Sequence, residues 1–83
     1  MIWYAFAMKM PGIYWEGPQK GQPYPAGDLV TTTRNGEGTF VIVTQDIEEA
    51  RFWCPRSAEI ITLPELPEHH IIVQEWVAPS WRR

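Results

Sequence analysis

The residues best suited to covalent or acid–base chemistry are Cys54, His69, His70, the adjacent acids Glu48 and Glu49, and the serines Ser57 and Ser80. A thiolate beside an imidazole base would make an activated nucleophile. Cys54, however, lies between Trp53 and Pro55 at the end of an apolar helical stretch, the setting of a buried and inert thiol. His69 and His70 are neighbours on a segment that reads as extended backbone. Successive side chains there point to opposite faces, so the two imidazoles cannot readily share one metal ion. Glu48 and Glu49, on a helix, point about 100° apart and do not face each other as an acid–base pair. Neither serine stands in a Gly-x-Ser-x-Gly elbow. The run Asn35-Gly36-Glu37-Gly38 is glycine-rich but lacks the lysine and the following helix of a phosphate loop. The expectation is therefore a protein with no catalytic residue, no metal site and no cofactor.

Charge points towards binding instead. The net charge is −3, and it is unevenly spread. Residues 46–75 carry seven acids (Asp46, Glu48, Glu49, Glu59, Glu65, Glu68, Glu75) against Arg51 and Arg56, while the remainder is net basic. An acidic half repels nucleic-acid phosphates and attracts a basic partner. The basic aromatic tail Trp81-Arg82-Arg83 is too short to reverse that balance. Pro64-x-x-Pro67 has the spacing of a polyproline ligand, but two prolines in an acidic connector are better explained as a loop. Trp15, beside a Pro/Gly-rich stretch, and Trp81, beyond the last strand, are the aromatics least tied to a core. Exposed tryptophans next to an acidic rim make good anchors for a protein partner. The expected binding set is thus Asp46, Glu48, Glu49, Glu59, Glu65, Glu68, Trp15 and Trp81. The expected partner is a protein with a basic surface, a nucleic-acid-binding complex among the candidates, with no direct nucleic acid and no membrane.

The elements that must position these groups fit in one domain, residues 1–83. A chain this short buries only about 60% of its unfolded surface. Five Trp, three Tyr and three Phe make its core economical, since each aromatic removes about 150–250 Å² from water. The lone Cys54 excludes an internal disulfide, and the apolar start Met1–Met8 lacks a basic leader and ends at Lys9 and Pro11. A soluble cytoplasmic protein, a monomer or weak homodimer, is expected.

Residues 2–8 read as a strand buried on both faces. Residues 16–28, with three Pro and three Gly, read as an extended loop pinned to the core by Tyr24. Residues 29–44 read as a hairpin turning at Asn35-Gly36, with Gly38 as a bulge position. Asp46 and Glu49 have the spacing of a capping box for a short helix over about 46–54, with Ile47, Ala50 and Phe52–Cys54 near its inner face and Pro55 ending it. Residues 59–63 and 70–77 read as further strands. The predicted class is α+β: a small, mostly antiparallel sheet of five or six strands with one short helix.

Part of this pattern resembles a known family. Gly27-Asp28-Leu29, Thr39-Phe40-Val41-Ile42-Val43-Thr44, Asp46-Ile47-Glu48-Glu49-Ala50-Arg51-Phe52-Trp53 and Glu59-Ile60-Ile61-Thr62-Leu63 resemble the middle of small ADP-ribosyltransferases of the rifampicin-modifying type. The resemblance covers residues 27–63 and implies an NAD-dependent transferase, minimal or degenerate, because Tyr4-Ala5-Phe6 stands where that family has His-Gly-Thr. In size, aromatic content and acidity the chain also resembles small phage-encoded inhibitors of the anti-CRISPR type. That second resemblance implies a protein of the host cytoplasm that blocks a nucleic-acid-handling complex with an acidic face.

Overall fold

The computed structural model describes residues 2–14, 19–34 and 38–77. Strand β1 (Trp3–Met8) is followed by the two-residue strands β2 (Gly12–Ile13) and β3 (Pro23–Tyr24). Next come β4 (Thr31–Arg34), β5 (Gly38–Val43), helix α1 (Ile47–Trp53), β6 (Ala58–Leu63), β7 (His70–Ile72) and helix α2 (Val73–Val77). This is a small mixed α and β arrangement, as the patterning implies. The single sheet of five or six strands is not what forms. Among the described residues the strands make three small sheets, ordered β1-β6, β2-β3 and β4-β5-β7, so the largest has three strands. The β5–β7 pair is moreover parallel, with Ile42 beside Ile71.

Strand β1 joins these pieces. One edge pairs antiparallel with β6, from Trp3 opposite Leu63 to Met8 opposite Ala58. Its other edge exchanges both backbone hydrogen bonds between Tyr4 and Thr44 (2.8 and 3.0 Å). Further along that edge the Met8 N–H donates to the Asp28 carbonyl and the Val30 N–H to the Phe6 carbonyl, each at 2.8 Å. Leu29 therefore bridges to Ala7 instead of opening the β4 strand. Ala5, Phe6 and Ala7 are all buried, as expected of a strand covered on both faces.

The main core gathers one residue from nearly every long element: Phe6, Ile42, Ala50, Ala58, Ile71 and Val73. Tyr4, Phe6 and Met8 on β1, Phe40 and Ile42 on β5, and Ala58 and Ile60 on β6 follow the period of two that places alternate residues on one face. Both helices cover that face. Ala5, Ala7 and Val43, of the opposite parity, are also buried, so the small sheets are covered on both sides.

One sequence expectation held in this region. The 29–44 hairpin forms as β4 and β5, with Arg34 opposite Gly38 and Thr31 opposite Val41. Gly38 adopts φ +94°, a left-handed backbone conformation that side-chain-bearing residues rarely take; the Asn35-Gly36 turn lies outside the described residues. Tyr24 does not reach the main core; it packs against Gly12 and Tyr14 of the preceding segment. Its ring lies over Gly12, where the phenol leaves no room for a Cβ, and it meets the Tyr14 ring at a centroid distance of 5.0 Å.

The last expected strand, 70–77, is corrected. Only His70–Ile72 is extended, and Val73–Val77 is helical. The spacing of three between Val73 and Trp76 explains the difference. Helical geometry turns both onto the core while Gln74 and Glu75 stay exposed. A strand would have put Trp76 on the same face as Gln74.

Candidate functional site

The acidic turn at the start of α1 is held in place from the sheet. Asp46 caps the helix, its Oδ1 accepting from the Glu48 N–H at 2.9 Å. The reciprocal half of the expected capping box is absent. The Asp46 N–H donates instead to the Thr44 hydroxyl oxygen at 3.1 Å, and Thr44 is 1% exposed and bonded to Tyr4 of β1. The helix start is thus tied to the central strand through one buried threonine.

Glu49, freed from capping, accepts from the Trp53 indole N–H at 3.0 Å. Trp53 packs edge-on against Trp76 of α2, with ring centroids 6.3 Å apart. Phe52 meets Trp53 edge-to-face at 4.7 Å and is 73% exposed. This corrects the expectation that residues 52–54 share the inner face of the helix. At 100° per residue, Trp53 and Phe52 cannot both turn inward, and Trp53 is the one with a hydrogen-bond partner and a stacking partner there.

Asp46, Glu48, Glu49 and Phe52 together line an open depression of about 270 Å³. Arg51 reaches Glu48 at 3.1 Å, an ion pair in which both side chains are well exposed. Such a pair is worth less than about 1 kcal/mol, so Glu48 can change partners cheaply. Three of the expected binding acids are therefore brought together. Glu59 on β6 and Glu65 and Glu68 in the β6–β7 connector are exposed but do not line this depression. Trp15 and Trp81 lie outside the described residues. The aromatic that stands beside the acids is Phe52, which sequence reasoning assigned to the core.

A second, open cleft of about 470 Å³ lies beside the Gly27-Asp28-Leu29 turn, with Tyr14 and Gln19 on its wall. The Tyr14 hydroxyl donates to the Asp28 carboxylate. That hydrogen bond holds the proton on the phenol and raises its pKa above the ordinary tyrosine value, with smaller contributions from burial and from the charge of Asp28. The Gly27 N–H donates to the Met8 carbonyl at 2.7 Å, which docks the turn on β1.

Cys54, His69 and His70 each meet different neighbours, and Ser80 lies outside the described residues. Cys54 is half-buried, its thiol directed at the carbonyls of Pro55 and Ala58 at 3.5 Å. Burial raises its pKa; nearby Lys9 opposes the shift and Glu59 adds to it. His69 meets Phe40 and His70 meets Trp3, while the His70 Nδ1 lies 2.8 Å from the Pro67 carbonyl. Among the described residues no group of three His, Cys, Asp or Glu could hold a metal ion. No helix among them is long and apolar enough to cross a membrane.

Comparison with protein-family models, with curated proteins and with solved structures finds no match for this chain.

Proposed function

We propose that this chain is a non-catalytic binding protein, an inhibitor of the anti-CRISPR kind, that docks the acidic turn of α1 on a basic surface of a nucleic-acid-handling protein. The observation that carries this reading is Phe52, a large aromatic left 73% exposed in a depression whose other walls are Asp46, Glu48 and Glu49. Carboxylates around the rim steer a basic partner and speed its approach. An aromatic already braced against Trp53 loses little conformational freedom on docking and supplies the apolar anchor. The same carboxylates repel phosphate, so the ligand is the protein and not its nucleic acid. Such an inhibitor would work in the cytoplasm of its host.

The test is capture from a candidate host lysate on the immobilised chain, eluted in steps of salt and read by mass spectrometry, beside Phe52→Ala and Glu48→Lys. A basic nucleic-acid-binding protein released at moderate salt, and held at least about tenfold more weakly by Phe52→Ala, is expected. Retention independent of salt and equal on both variants would overturn the reading.

A second reading, a minimal or degenerate NAD-dependent ADP-ribosyltransferase, is favoured by the cleft beside Gly27-Asp28-Leu29, the turn that carries the family resemblance. Calorimetry at millimolar NAD decides it: saturable heat supports it, and none removes it.

A further inference from the structure

Strand β6 is an outer strand, hydrogen-bonded to β1 and to no other strand among the described residues. The direction of its free groups follows from β1. Tyr4, Phe6 and Met8 spend their backbone groups on Thr44, Val30, Asp28 and Gly27. Trp3, Ala5 and Ala7 therefore face β6, and they stand opposite Leu63, Ile61 and Glu59. In an antiparallel ladder those three residues of β6 bond inward, and the alternate residues Ala58, Ile60 and Thr62 direct their N–H and C=O outward. Ala58 is already satisfied, by the Pro55 carbonyl at 3.1 Å and the Cys54 thiol at 3.5 Å. Ile60 and Thr62 remain, with two donors and two acceptors on a strand that carries one charge, Glu59, and no proline before Pro64. Edge strands are ordinarily blunted by charge, proline or bulges, and this one is barely protected.

We propose that the outer edge of β6 pairs antiparallel with β6 of a second copy, forming a weak two-fold dimer centred on Ile61. Antiparallel strands pair outward-bonding residues only with outward-bonding residues. One register uses every free group: Ile60 opposite the partner's Thr62 and Thr62 opposite the partner's Ile60, four hydrogen bonds in all. Ile61 then meets its own copy across the axis as a close, non-hydrogen-bonded apolar pair. Glu59 faces Leu63 of the other strand instead of a second carboxylate. The two Glu59 residues fall four positions apart, about 14 Å, beyond the ~8–10 Å screening length at ordinary salt. The edge is thus self-complementary in hydrogen bonding, shape and charge, which a second copy satisfies without any other partner. One strand pair buries far less than the ~1,200 Å² of a stable interface, so the dimer is weak and concentration-dependent. This inference does not depend on the α1 surface.

Sedimentation equilibrium on the whole chain, from about 10 μM to about 1 mM, tests it. The average mass should climb from monomer towards dimer and stop there. Thr62→Pro removes an outward N–H that β1 does not use, a substitution edge strands tolerate. It should weaken association at least tenfold while the far-UV circular dichroism is unchanged. Should that variant fail to fold, amide exchange of the unaltered chain is decisive. Protection at Ile60 and Thr62 should rise with concentration while that at Ile61 stays constant. A monomer at every concentration, an edge that takes up only a strand of a different protein, or a dimer indifferent to Thr62→Pro overturns the proposal.

Discussion

Phe52 and Trp53 are adjacent and chemically alike, yet one is 73% exposed and the other is packed against Trp76 and bonded to Glu49. The difference is the indole N–H. Tryptophan can satisfy a polar tip and still bury its rings, whereas phenylalanine has nothing with which to bid for Glu49. Tyr14 shows the same logic at a hydroxyl. Its proton is held by Asp28, so the phenol should ionise above the ordinary tyrosine pH. Because the folded-state pKa is raised, whatever this bond contributes to stability is intact below the pH where an unfolded tyrosine titrates. It is lost as pH rises through the folded value. Ultraviolet titration of Asp28→Asn should move the Tyr14 midpoint back towards that of a free tyrosine; an unmoved midpoint would mean Asp28 is not the cause.

At the scale of elements, α1 is two turns long and would not persist without its caps and its packing. Asp46→Ala removes the bond to the Glu48 N–H and should cost about 1 kcal/mol, read as a lower urea midpoint with an unchanged slope. No loss would show that Thr44, not Asp46, fixes the helix start. This helix was legible in the sequence because its signals are local: an N-cap acid, acids in the first turn and Pro55 just beyond the end. Helix α2 was not. Its five residues admit a period of two as readily as a period of 3.6 at that length, and the choice was made by Trp53, twenty-three positions away, offering Trp76 an aromatic face. The two halves of the capping box diverged for a similar reason. Glu49 had a second suitor in Trp53, and Thr44 was placed by β1 to take its role.

For the molecule as a whole, stability should hinge on β1, whose Phe6 is 1% exposed in a core shared by both helices and four strands. Phe6→Ala should cost about 3–5 kcal/mol. A domain of this length has only about 4–12 kcal/mol in total, so the variant should be largely unfolded under mild denaturant in a urea titration. A loss below about 1 kcal/mol would mean that the core repacks around the gap. The parallel β5–β7 pair explains why one antiparallel sheet was expected and three small sheets form. The connector between β6 and β7 lays β7 alongside β5 and in the same direction, a consequence of long-range packing that no local pattern announces.

Strand β1, the β4–β5 hairpin and α1 with its acidic first turn follow from residues within a few positions of one another. Alternation, β-branching, caps and turn glycines act at that range. Three features came from contacts between distant segments: the exposure of Phe52 beside the acids, the helical fate of Val73–Val77, and the outer edge of β6, unpaired among the described residues. Each depends on which of two locally equivalent arrangements buries more apolar surface or satisfies more backbone groups once the strands have met, and that comparison exists only in the folded chain.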